Sequence, residues 1–204
     1  MILWVSPRTS SLAARLAFAM CGMPGEVREI SLRAGDARSP EFIALNPKGQ
    51  VPVLELEGGM ALTETPAILM ALGEMFPDSN LLGTSRAERW QVMEWLAWVA
   101  WTVPGAFLPG FDPGRFGPAP AEEGIRSAAL ARADLALVYA GSRIEGRGWA
   151  VGGTPTAADC SLALLTVLGG FLGIAPPEAL MAHRRRFFAL PALRDALTAE
   201  GFAT

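Results

Sequence analysis

Pro77-Asp78-Ser79-Asn80 separates two stretches of this chain whose apolar residues repeat with different periods. Before it, short runs of strand length alternate with helical patterns; after it, every periodic stretch repeats at helical spacing. Ile2–Val5 reads as a strand stopped by Ser6-Pro7, and a helix from Ser10 places Leu12, Leu16, Ala19 and Met20 on one face before Cys21-Gly22 ends it. Val27–Ser31 suits a second strand, Ser39-Pro40-Glu41 opens a short helix, and Asn46–Gly49 is a turn. Val51–Leu56 follows as a strand, then Glu57–Met60 as a hairpin turn and Ala61-Leu62 as its return. Thr63 or Thr65 caps a helix to Met75 with Ile68, Leu69 and Leu72 inward. The order βαβ then ββα predicts an α/β domain over residues 1–76, a linker over 77–84 and an all-helical domain over 85–204.

In the second stretch a helix over Arg86–Val103 is expected to break at Pro104-Gly105. The Pro- and Gly-rich stretch from Pro109 to Pro120 reads as a long loop, and Ala121–Tyr139 as a helix. Thr156-Ala157-Ala158-Asp159 has capping-box spacing ahead of an apolar helix over Cys160–Leu168, and Pro191 opens the last helix.

Composition removes several function classes. Hydrophobic residues make up 51% of the chain, enough for a sizeable core and against disorder. Lys plus Arg is 17 against 20 Asp plus Glu, so no basic field favours a nucleic-acid partner. The apolar run Cys160–Ala175 carries three glycines and is shorter than the ~20 residues of a membrane span, so a buried helix is expected and no membrane partner. The start of the chain lacks a secretory pattern, which points to the cytoplasm. Cys21, Cys160 and His183 stand apart from one another, so no metal is expected.

Three local motifs carry more information than architecture does: Ser6-Pro7-Arg8-Thr9-Ser10-Ser11-Leu12, Leu45–Leu54 (LNPKGQVPVL) and Leu62-Thr63-Glu64-Thr65-Pro66-Ala67-Ile68. In this order and spacing they resemble the glutathione transferase superfamily, and within it the bacterial beta class. The similarity extends to Glu94-Trp95-Leu96 and to the box at Thr156–Asp159. The resemblance implies a thioredoxin-like α/β N-terminal domain, an all-α C-terminal domain, a homodimer and glutathione as co-substrate.

It also implies a site. Val51-Pro52 matches the family's cis-proline turn, whose backbone pairs with the cysteinyl part of glutathione as an added strand does. Glu64-Thr65 matches the pair that takes the γ-glutamyl ammonium and carboxylate at a helix start. Gln50 and Lys48 match residues that reach the tripeptide backbone and its glycyl carboxylate, although a solvated turn charge would explain Lys48 equally well. At the thiol the chain departs from the beta class, with Ser10 in place of the cysteine; Ser11 falls in the register of the serine classes, and Thr9 is the third hydroxyl. Ser11 is favoured narrowly, and lowering a thiol pKa from ~8.5 to ~6.5 requires about 2.7 kcal/mol, the scale of one charge-assisted hydrogen bond plus a helix terminus. Pro104 stands where the beta class carries a histidine.

The acceptor pocket is expected between the domains, with Trp98, Trp101, Phe107 and Phe111 as candidates, although core packing competes for each. The function so implied is conjugation of the glutathione thiolate to a small hydrophobic electrophile. A glutathione- or ligand-binding homologue without turnover, and a glutathione-dependent isomerase or dehalogenase on the same fold, are the alternatives.

Overall fold

The computed structural model describes residues 1–22 and 25–202. The chain forms two compact units, one holding Met1–Leu82 and the chain from Phe188 onward, the other Gly83–Phe187.

The first unit is built on a four-stranded sheet in the order β2-β1-β3-β4. Strand β1 (Ile2–Val5) runs parallel to β2 (Glu26–Glu29) and antiparallel to β3 (Val53–Glu55), which pairs antiparallel with β4 (Ala61–Thr63). Parallel neighbours need a crossover, and α1 (Leu12–Met20) supplies it. A 3₁₀ turn over Glu57–Gly59 joins β3 to β4, with Gly58 and Gly59 both at φ 83°, a region open to glycine without steric cost. Ser39 caps α2 (Pro40–Leu45) by accepting the Phe42 N–H at 3.2 Å.

Helix α3 (Thr65–Met75) buries Ile68, Leu69 and Leu72, the stripe its spacing predicts. Its N-cap is Glu64, neither Thr63 nor Thr65. Thr63 is still paired with Val53 in the sheet and Thr65 is already helical, so the turn between them falls on Glu64, at φ 71°. In α1 more than one face is buried: Ala13, Ala14 and Ala17 are covered along with Leu12 and Leu16, while Ala19 and Met20 are half-buried. The extra cover comes from the chain's end, where a 3₁₀ turn at Pro191–Leu193 and α8 (Arg194–Ala199) pack on α1. The segment after Phe188 therefore groups with the α/β unit, where one helical domain over 85–204 was expected. The expected linker is packed rather than loose, with Leu81 and Leu82 buried.

The second unit holds α4 (Arg86–Phe111), α5 (Glu122–Ile144), α6 (Ala157–Phe171) and most of α7 (Glu178–Phe188). Helix α4 runs through both Pro104 and Pro109, against the expected break. Each proline removes one ladder hydrogen bond, but α4 is packed along α5 and α6, and that burial outweighs the local loss. The predicted loop from Pro109 accordingly shrinks to residues 112–121, six of those ten in 3₁₀ turns. The capping box of Thr156 and Asp159 forms as its spacing predicts. Among the described residues no helix is long and apolar enough to cross a membrane.

Candidate functional site

Register alone gathers the site. Val5 pairs with Glu29, Trp4 with Val53, and Val53 with Thr63, so four chain crossings fall at one end of the sheet. Across that end lie, in sheet order, residues 30–36 after β2, the loop 6–11 after β1, Val51-Pro52 before β3, and Glu64-Thr65 after β4. Ligands of open α/β sheets bind at such an end, where helix N-termini and loop amides converge.

The loop 6–11 is held from within and from far away in sequence. Ser11 is the N-cap residue of α1 and is fully buried. Its hydroxyl accepts the Ser6 N–H at 3.1 Å and donates to the Ser6 carbonyl at 3.0 Å, with the Thr9 hydroxyl 2.8 Å away. Thr9 in turn donates to the Ser6 carbonyl at 2.7 Å. Of the three hydroxyls, that of Ser11, favoured from the sequence, is thus buried and donates within the loop. Ser10 is exposed, and Thr9 is half-buried in the closed network.

Arg8 lies at φ 61°, an uncommon value for a side chain without a local hydrogen-bonding group. Its N–H donates to the Glu200 carboxylate at 2.6 Å, across 192 positions. Glu200 is 1% exposed, and burial pushes its carboxyl up, with the Arg8 N–H and the Arg15 guanidinium opposing. Arg15 Nε stands 3.1 Å from Glu200 Oε1, an ion-pair contact without hydrogen-bond alignment, and Arg15 Nη2 reaches Glu29 at 2.5 Å. Nothing local in the sequence marks Glu200; only the return of the chain over α1 brings it here.

On the other side of the loop, Val51-Pro52 is cis. Asn46, 1% exposed, shapes the turn before it: Nδ2 donates to the Gln50 carbonyl at 2.7 Å and Oδ1 accepts the Lys48 N–H at 3.2 Å. Gln50 and Lys48 are exposed. The Lys48 ammonium is engaged, bonding the Glu64 carboxylate and, at 2.8 Å, the Thr63 hydroxyl. Exposed pairs of this kind contribute only ~0.2–1 kcal/mol and exchange readily for a charged ligand group. The α3 ladder begins with Ile68 N–H on the Glu64 carbonyl, which leaves the Thr65 and Ala67 amides ahead of it facing outward as donors.

The four aromatic candidates are not gathered. Trp98 is half-buried against Trp95 and Tyr139, with ring centroids 5.6 and 5.1 Å away, and lines a pocket of about 480 Å³ with Gly105, Leu135 and Tyr139 of the same unit. Trp101 is 88% exposed and Phe111 39% exposed. Phe107 is a core residue, 2% exposed. Because α4 continues past Pro104, Val103, Ala106, Phe107 and Gly110 form its inward stripe. Among the described residues no group of three His, Cys, Asp or Glu could hold a metal ion.

Comparison with known proteins agrees with this geometry. The family model for the N-terminal domain of glutathione S-transferases matches residues 9–75. The chain is 30% identical over 207 residues to glutathione S-transferase GstA of Escherichia coli O157:H7, covering 98% of this chain and 99% of that protein. A sphingomonad glutathione S-transferase complexed with glutathione superposes with a TM-score of 0.84 at 29% identity over the whole of both chains. The beta-class enzyme of Sphingomonas chungbukensis does so with a TM-score of 0.85 at 27% identity, again over the full length of both.

Proposed function

The chain belongs to the glutathione S-transferase family, and from that membership we propose that it binds glutathione at the sheet end described above and transfers its thiolate to a hydrophobic electrophile. The observation that supports this reading is that the loop carrying exposed Ser10, the Val51-Pro52 turn and the Glu64-Thr65 helix start lie at one end of one sheet. In it the Val51 main chain pairs with the cysteinyl residue. The Thr65 hydroxyl and α3 amides receive the γ-glutamyl carboxylate, and Glu64 receives the ammonium. Lys48 and Gln50 lie along the remaining backbone. Exposed Ser10 donates to the thiolate, where Ser11 had been expected. Sulfur then forms the bond to an aryl carbon, and chloride leaves with its electron pair.

Turnover of 1-chloro-2,4-dinitrobenzene with glutathione tests the reading; binding without product would replace it with a non-catalytic carrier. In the same series Thr65→Ala should weaken calorimetric glutathione affinity about ten- to a hundredfold, the value of a hydrogen bond to a charged group. Ser10→Ala should leave affinity nearly unchanged, raise the bound thiol's pKa in an ultraviolet titration and slow conjugation at neutral pH. Ser11→Ala should instead lower thermal stability. A titration that moves with Ser11 and not with Ser10 would reverse the assignment.

The proposal includes a homodimer in the cytoplasm, supported by two large apolar side chains on α4 that face solvent, Trp90 at 62% and Met93 at 46% exposure. Light scattering at micromolar concentration should give twice the 21.6 kDa chain mass; the single mass would refute it.

A further inference from the structure

The helical unit carries a groove of its own along α4 and α5, made of two hollows that meet at Gly105 and Arg132. The larger, about 610 Å³, runs between Pro109 of α4 and Ile125 and Ala128 of α5, and Phe116 and Pro120 of the intervening turn add to its wall. The other, about 480 Å³, is the hollow beside Trp98. Glycine leaves the room: a Cβ at Gly105 or Gly124 would meet no atom within 4 Å. The surface so opened is apolar, and Phe116 is 50% exposed on it. Hollows of this size take small-molecule ligands.

Arg132 is the single charged group among the residues that line either hollow. It is exposed and makes no hydrogen bond or ion pair among the described residues. Its neighbours one turn away on α5 are Ala128, Ala129, Leu135 and Ala136, so its own helix offers it no carboxylate. A guanidinium presents parallel N–H donors that match a carboxylate at two points. The two hollows suit different ligand parts. The one beside Trp98 also presents the hydroxyls of Thr102 and Tyr139, the latter already accepting from Arg143 at 2.7 Å. The larger one has no polar side chain besides Arg132. From Arg132 back to Ala121 its wall is about 16 Å long at 1.5 Å per residue. Packed helices lie only ~8–10 Å apart, axis to axis, so the furrow between them is one chain or ring wide. That length and width, with one cation at the end, describe a linear hydrocarbon with a terminal carboxylate.

We propose that this groove binds a long-chain fatty acid, its carboxylate on Arg132 and its tail along Ala128 and Ile125 toward Pro120. The site lies wholly in the helical unit and does not depend on the glutathione reading of the sheet end. The test is calorimetric titration of the whole protein with dodecanoate, alongside hexanoate and dodecyltrimethylammonium. One dodecanoate should bind per chain. Hexanoate should bind far more weakly, by about fourfold for each methylene removed, and the cation with the same tail should not bind. Arg132→Gln should weaken dodecanoate about five- to tenfold, and Arg132→Lys should recover part of the loss. Ala128→Phe, at an exposed position, should fill the course of the tail and abolish binding, while melting temperature and glutathione affinity stay as in wild type. Unchanged dodecanoate affinity in Arg132→Gln or in Ala128→Phe would overturn the proposal, because the acid would then sit elsewhere. So would equal affinity for the dodecyl cation. A loss of binding in Ala128→Phe that comes with a fall from twice the chain mass to the single mass in light scattering would also overturn it, and would give the groove to a second copy of the chain.

Discussion

Asp159→Ala is expected to destabilise the protein by about 3–5 kcal/mol, the range for removing one partner from a buried charged network. The carboxylate is fully buried and accepts from the Ala150 N–H at 2.8 Å, the Thr156 N–H at 2.7 Å and the Thr156 hydroxyl at 3.0 Å. His183 Nε2 lies 2.7 Å from Oδ1, and its ring is 2% exposed. Alanine would leave two backbone donors and an imidazole facing a dry cavity, so the loop before α6 and the start of α6 loosen together. At a few degrees of midpoint per kcal/mol for a chain of this size, the melting temperature should drop by about 10 °C. Asn is no rescue, because its amide group would turn a donor toward donors. A urea midpoint within experimental error of wild type would remove Asp159 from the supports of the helical unit.

Glu200→Ala should produce a comparable loss together with slower conjugation, because the same carboxylate balances buried Arg15 and holds the Arg8 N–H in the loop that carries Ser10. Positioning errors of about 1 Å near a reacting group can cost up to ~100-fold in rate, so a tenfold fall in kcat is the expected order. Glu200→Gln keeps an acceptor for Arg8 and should retain most of the turnover. The two forms also separate with pH. Burial raises the Glu200 carboxyl above its ordinary 4.5, with the Arg8 hydrogen bond and Arg15 pulling the other way. The folded chain then holds this proton to higher pH than the unfolded one. The group's contribution to stability is greatest below the unfolded value and declines as pH rises toward the folded value. Glutamine cannot titrate, so its melting temperature should gain on wild type as pH climbs from about 4.5. Parallel melting curves across that range, with unaltered kcat in the alanine variant, would contradict both the titration and the positioning role.

The sequence by itself determined whatever depends on residues within a turn or two of one another. Ser39 and the Thr156–Asp159 pair announce helix starts because a cap needs only a side chain and an amide three residues away. Ile68, Leu69 and Leu72 show their buried face through spacing alone. The motifs at Ser6–Leu12, Leu45–Leu54 and Leu62–Ile68 revealed the family because each is a local backbone device, and strand register then carries all three to one end of the sheet. Tertiary structure decided where local preference and burial disagree. Proline argued for ending α4 at Val103, but packing against α5 and α6 carried the helix on to Phe111 and turned Phe107 into the core. Three neighbouring hydroxyls are equivalent in sequence; the closure of Ser11 onto Ser6 left Ser10 as the exposed one. The longest reach belongs to Glu200, whose place beside Arg8 follows from the last segment folding back over α1, a contact between residues 192 apart that no local period encodes. Local signals are written in a few consecutive residues, whereas the choice of which segment covers which depends on the whole chain competing to bury its apolar surface.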